Sequence, residues 1–257
     1  MKSAALLALG FLVIVLAPRG SSPAQSSARA ERAVPFRIGE TLTYDVSWSN
    51  YLTAGTAVTT VIEKKASIDS TAYYVVAEGR PVPLLAKLYS LYYKLDTLID
   101  AYTLLPQFAT AYTEEGKSHH LKTTRFDRNA RKAFFEYQSG TTVKSDFPIA
   151  ASTQDALSSL YALRTLPLKA GLHVTMPVTD DGVNYKLTID VAAVERIKTP
   201  IGETSAWKVL PVVADDKGQV VGRNLVVWIA DDATRYPLKI QADLAVGRFA
   251  LLLRAAQ

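Results

Sequence analysis

Between Phe36 and Trp48 every second residue is apolar (Phe36, Ile38, Leu42, Tyr44, Val46 and Trp48), with Glu40 as the one exception. The intervening residues, Arg37, Gly39, Thr41, Thr43, Asp45 and Ser47, are small or polar. A side-chain period of two belongs to a strand, because successive Cβ atoms leave opposite faces of a pleated backbone. The stretch therefore predicts a long, half-buried β-strand and a sheet with one wet side.

The pattern recurs. Val183, Tyr185, Leu187, Ile189, Val191, Ala193, Glu195 and Ile197 alternate in the same way, and Tyr236, Leu238, Ile240 and Ala242 give a third run. Residues 219–230 are apolar on both parities, as expected of a strand covered on both faces. Turn sequences punctuate these runs at Asp127-Arg128-Asn129-Ala130, Asp180-Asp181-Gly182, Lys198-Thr199-Pro200-Ile201-Gly202, Asp215-Asp216-Lys217-Gly218 and Asp231-Asp232-Ala233-Thr234. Closely spaced strands with little helix between them predict antiparallel meanders and not βαβ units. The expected fold is all-β, a curved antiparallel sheet or open β-barrel, since closure or near-closure removes exposed edges. One packed helix is expected near 153–165. Ser152 would cap it with Asp155 reaching back, Leu157, Leu160, Tyr161 and Arg164 follow at helical spacing, and Pro167 ends it. A second, short helix fits Leu84–Tyr89.

The amino-terminal residues read as a targeting device. Lys2 precedes a continuous apolar run from Ala4 to Ala17, which Pro18, Arg19 and Gly20 end. Small residues follow at cleavage spacing, Ser22 with Ala24 or Ala28 with Ala30, so residues 1–24 read as a secretory signal peptide cleaved after Ala24 or Ala30. An uncleaved anchor is the alternative, and the shortness of the run argues against it. Residues 25–35 have no periodicity and read as a disordered leader, and 36–257 as a single β-rich domain. The absence of cysteine excludes disulfides, thiolate metal sites and a lipoprotein signal. The formal charge of +5 is interspersed with acidic residues and gives nucleic-acid binding no support. No second apolar run reaches the length of a membrane helix, so the mature chain is expected to be periplasmic with no transmembrane segment.

Three charged residues occupy odd positions. Glu40 and Glu195 interrupt apolar strand faces, and Arg164 lies in the apolar stripe of the expected helix. A buried charge without a partner costs several kcal/mol. The expectation is that Arg164 or Arg235 meets Glu195 or Glu40 behind the helix. Such a pair has two readings: a brace between helix and sheet, or a polar anchor inside a ligand cavity. Tyr44, Trp48, Tyr161 and Tyr185 fall on apolar faces and are the candidate cavity aromatics. Nucleophilic catalysis has little behind it, because Ser158 and Ser159 fall on the helix face away from Leu157 and Tyr161, and no Gly-x-Ser-x-Gly elbow surrounds any serine. His119 and His120 are adjacent, so on a strand they cannot chelate one ion together. No metal or other cofactor is expected.

Phe36-x-x-Gly39-Glu40-x-Leu42-x-Tyr44, Gly55, Pro106 and Phe126-Asp127 open a longer pattern. Asp155-x-x-Ser158-x-x-Tyr161-x-x-Arg164, Gly171, Glu195, Thr199-Pro200-x-Gly202 and Pro211 continue it, and Trp228, Asp232, Arg235, Pro237 and Gly247 complete it. In this order and spacing the chain resembles the exported bacterial proteins grouped as domain of unknown function 3108. The resemblance implies an exported, β-dominated envelope protein and carries no catalytic residues. A looser fold-level likeness is to half-barrel carriers of lipids and lipoproteins. The leading expectation is a non-catalytic module that binds a hydrophobic ligand or lipidated partner in the concave sheet, with a lipid, a lipoprotein or an outer-membrane component as partner. The alternatives are a structural or assembly factor of the envelope working by protein–protein contact, and an envelope hydrolase.

Overall fold

The computed structural model describes residues 30–257 except positions 50, 51, 69, 89, 222, 245 and 246. The expected signal peptide, residues 1–24, lies outside the described residues. The first arm of the fold contains β1 (Thr41–Trp48), β2 (Leu52–Ser67), β3 (Ser70–Pro81), the short helix α1 (Pro83–Leu88), β4 (Leu91–Asp100), β5 (Pro106–Glu115), β6 (Ser118–Asp127), β7 (Lys132–Ser139) and β8 (Thr141–Pro148). Helix α2 (Ala156–Arg164) follows. The second arm contains β9 (His173–Asp180), β10 (Val183–Thr199), β11 (Gly202–Ala214), β12 (Val220–Val221), β13 (Arg223–Ala230), β14 (Pro237–Leu244) and β15 (Gly247–Ala256).

All of these strands join one sheet in the order β8-β7-β6-β5-β4-β3-β2-β1-β15-β14-β13-β11-β10-β9, with β12 added beside β11. Every ladder is antiparallel, as the turn spacing predicts. The arms meet at the centre, where β1 pairs with β15 from Leu42↔Ala256 to Trp48↔Phe249. The sheet is curved and does not close into a barrel: β8 and β9 share no ladder. Other contacts draw the arms together. The Asn184 side chain donates to the Pro148 carbonyl at 2.7 Å, and Lys122 on β6 pairs with Asp181 in the β9–β10 turn at 2.6 Å. Gln154, just before α2, makes a parallel bridge to Val178 on β9.

The expected strand over 36–48 begins only at Thr41. Gly39 takes a left-handed φ of 84°, and the Glu40 amide donates to the Arg37 carbonyl, so the chain turns just before the strand. Ile38 is consequently 52 % exposed, while Phe36, Glu40, Leu42 and Tyr44 remain buried. Residues 31–35 differ from the unstructured leader expected of them. The Arg32 amide donates to the Ala101 carbonyl at 2.9 Å, Glu31 pairs with Lys64 at 2.6 Å, and Val34 packs on the core. Their small and charged composition concealed a docking that depends on β2 and β4, which are distant in sequence.

Helix α2 starts three residues later than the expected cap implies. Asp155 is the N-cap, in an extended conformation, and its Oδ1 accepts the Leu157 and Ser158 amides. The Ser158 hydroxyl accepts the Asp155 amide in return, which completes a capping box. Ser158 is therefore buried, against the expectation of a solvent-facing serine. Asp155 Oδ2 also accepts the Thr97 hydroxyl at 2.7 Å, so the helix start is tied to β4. The helix packs on the first arm through Leu157 and Tyr161, against Val61, Tyr73, Val75 and Ile99. It packs on the second through Leu163, against Val178, Leu187, Ile189, Val209 and Val227. Of the stretch 219–230, expected to be one strand covered on both faces, Val227, Trp228, Ile229 and Ala230 on β13 are buried, whereas Val220 and Val221 form the separate strand β12 and are exposed.

Candidate functional site

Arg164 closes α2 from within the core. Its Nη1 donates to Glu40 Oε1 at 2.6 Å and its Nη2 to Glu40 Oε2 at 3.0 Å, a bidentate pair. Nη2 also donates to the Thr234 carbonyl at 3.1 Å, and Nε to the Arg235 carbonyl at 3.2 Å. Both side chains of the ion pair are about 1 % exposed. The rings of Tyr161, Phe36 and Tyr236 surround the guanidinium at 5.2, 5.5 and 5.7 Å. Burial pushes the nearby Tyr161 hydroxyl up to about 12, against the lowering influence of Arg164, and raises that of Tyr44 further still. The cluster ties the end of α2 to the start of β1 and to the turn between β13 and β14.

The other two candidate charges lie apart from this pair. A β-bulge sets the four residues of β10 from Val191 to Val194 against the three of β11 from Trp207 to Val209. The extra residue changes parity, so Glu195 leaves the face that carries Leu187, Ile189 and Val191. Glu195 is instead 41 % exposed, accepts Lys208 Nζ and Trp228 Nε1 at 2.9 Å each, and has its carboxyl held below the usual glutamate range by the hydrogen bonds from Trp228 and Lys208. Arg235 contributes only its backbone carbonyl to the Arg164 cluster, and its side chain lies 3.6 Å from Asp231. Neither Glu40 nor Arg164 lines the cavity that lies against α2.

That cavity has a volume of about 770 Å³ and lies between α2 and the second arm. Leu160 and Leu163 reach it from the helix, Val178 from β9, Tyr185, Leu187 and Ile189 from β10, and Pro211, Val213, Val227 and Ile240 from the strands beyond. Ser159, Asp180, Asn224 and Asp243 supply its polar atoms. A second apolar groove of about 530 Å³ lies over the central strands, between Val46, Trp48, Phe249, Leu85, Leu91 and Tyr93. Gly55 and Gly79 also line it, and a Cβ on Gly55 would strike the Arg80 carbonyl oxygen. The two spaces adjoin: Ala242 lines the cavity, Phe249 lines the groove, and these residues stand directly opposite on β14 and β15. Directly opposed residues share a face, so both spaces lie on the same side of the sheet. Each falls within the roughly 300–1,000 Å³ of small-molecule sites.

Of the candidate aromatics, Tyr185 lines the cavity and Trp48 the groove, while Tyr44 and Tyr161 are packed in the core. The aliphatic lining of the cavity was visible only as strand alternation. Other polar groups are engaged structurally. Ser159 Oγ donates to the Ala156 carbonyl, His173 faces Asp190 at the surface, and His119 and His120 stack on Tyr112 and Tyr137. Among the described residues no helix is long and apolar enough to cross a membrane.

The sequence matches a family model described as Protein of unknown function (DUF3108) over residues 43–254. No curated protein matches it. Among solved structures it is similar to a beta-barrel-like protein of domain of unknown function DUF1849 from Brucella abortus, at 12 % identity and TM-score 0.53, covering 86 % of this chain and 97 % of the other. A protein with a YmcC-like fold from Bacteroides fragilis aligns at 11 % identity and TM-score 0.37, covering 89 % and 100 %.

Proposed function

This chain belongs to the DUF3108 family, whose function is unknown, and we propose that it is an exported, non-catalytic envelope protein that holds a hydrophobic ligand on the concave face of its sheet. The apolar cavity between α2 and the second arm carries this reading. Side chains that would fill a closed core leave a space there of ligand size, and the groove beside β15 extends it. Chain length follows from the energetics. Burying about 12 methylenes gains on the order of 10 kcal/mol, against about 3 kcal/mol for a chain of about 4. Association costs at least ~4 kcal/mol, so only the longer chain is retained. The ligand is thus a long-chain lipid or the acyl chain of a lipidated partner, and the Arg164–Glu40 pair serves as the brace that holds α2 over it. Export rests on residues 1–24 acting as a signal, and the amino terminus of protein recovered from the periplasm checks it.

Leu187→Trp and Val227→Trp would fill the cavity from two strands. Wild-type protein should retain a fluorescent long-chain probe, and both variants, folded by circular dichroism, should lose it. Equal retention by all three proteins would place the ligand elsewhere and remove this function.

A further inference from the structure

The cavity that would hold an apolar chain has a one-signed mouth. Its charged lining residues are Asp180 and Asp243, and among the described residues no lysine or arginine lines it. Asp243 is already occupied by Arg248 Nε at 2.7 Å and by the Asn224 amide at 2.6 Å. Asp180 differs. Among the described residues no cation stands within ion-pair distance of it, because Lys122, the cation of that turn, is held by Asp181 at 2.6 Å. Tyr185 lines the same cavity as Asp180 and offers an aromatic face. Tyr185 on β10 stands opposite Val178 on β9, and Asp180 follows two residues along that strand, so ring and carboxylate are diagonal neighbours on one face. An apolar chamber, an unpaired carboxylate at its mouth and an aromatic ring beside that carboxylate together suit a chain that ends in a cation. An anionic head would meet the field of the carboxylates with no donor of opposite charge to offset it.

Resting on the reading that the cavity holds a long chain, we propose that its ligand is an amine-bearing amphiphile whose ammonium group sits against Asp180 beside the Tyr185 ring, and that amphiphiles with carboxylate heads are rejected. The net charge of the chain, formally +5, works in the opposite direction, since non-specific attraction favours anions. A preference for the cation is therefore a property of the site.

Dodecylamine, dodecanol and dodecanoate carry the same chain under three heads. Each would displace a fluorescent chain probe from the full-length mature protein at pH 7, below its micelle concentration. The amine should bind at least tenfold tighter than the carboxylate, with the alcohol between them, and Asp180→Asn should bring the amine to the level of the alcohol. Dodecanoate binding as tightly as dodecylamine would overturn the head-group assignment and leave the chain-binding function intact. A head preference unchanged in Asp180→Asn would remove the role of Asp180. Failure of all three ligands to displace the probe would refute the cavity function itself.

Discussion

Replacing Glu40 by glutamine leaves the Arg164 guanidinium buried, charged and facing an amide. The change is nearly isosteric, so it isolates charge from packing. In the folded protein Arg164 makes four hydrogen bonds, two of them to Glu40, with no water-exposed surface through which to recover the lost charge. Removing one partner of such a pair costs roughly 3–5 kcal/mol, most of it the price of a stranded charge. For a domain of this size each kcal/mol moves the melting temperature by roughly 2–4 °C, so the variant should melt about 6–20 °C lower. Urea unfolding followed by circular dichroism would show a lower midpoint with an unchanged slope. Glu195→Gln is the internal control. Its partners are Lys208 and Trp228 at a partly exposed site, and loss of such a pair costs within about 1 kcal/mol. The double replacement Glu40→Leu with Arg164→Met should be more stable than either single polar-to-apolar change, because it leaves no orphan charge. If Glu40→Gln shifts the midpoint no further than Glu195→Gln, the pair is not sealed from water and the brace assigned to it fails.

Two further changes probe separate features. Burial alone would raise the Asp100 carboxyl, but hydrogen bonds from Ser70, from the Thr103 hydroxyl and from the Thr103 and Tyr102 amides outweigh it and lower its pKa below the usual aspartate value. A lowered folded pKa gives stability that is complete above the unfolded value of about 3.9 and is lost as pH falls through the folded value. The stability difference between wild type and Asp100→Asn should therefore be constant near neutrality and shrink below about pH 4; a difference that grows on acidification would contradict the hydrogen-bond assignment. Asp155, raised by burial, titrates with the opposite sign, so the difference curve and not the absolute one is the quantity to measure. Gly55→Ala drives a Cβ into the Arg80 carbonyl oxygen, which is backbone and cannot swing away. It should cost about 1–3 kcal/mol in denaturant unfolding, and a neutral result would mean that β2 and β3 separate there.

Local order was legible in the sequence and long-range order was not. Each of the five turn sequences falls between consecutive strands, because Asp, Asn and Gly fix turns through their own backbone preferences. The pairing of β1 with β15 leaves no local mark, since any alternating strand could occupy that place. Glu40 and Glu195 look alike in the alternation, yet a single bulged residue in β10 sends Glu195 to the other face. Arg164 stood out because an arginine in an apolar stripe demands a partner. Leu187, Ile189 and Val227 did not stand out as a site. Their residue types suit a packed core equally well, and only the placement of α2 leaves them facing open space.

The position of β15 also governs the order in which the chain can fold. Strand β15 is no edge ornament: it lies between β1 and β14, and among the described residues its ladder with β1 joins the two arms into one sheet. Each arm is built from neighbours in sequence and can assemble early, since short loops close at little entropic cost. The seam between β1 and β15 must wait until Gly247–Ala256, about 200 residues after β1, are available. A chain still emerging from a ribosome or a translocation pore therefore carries two half-sheets, each with an open inner edge. Truncation before Gly247 should leave the protein permanently in that divided state.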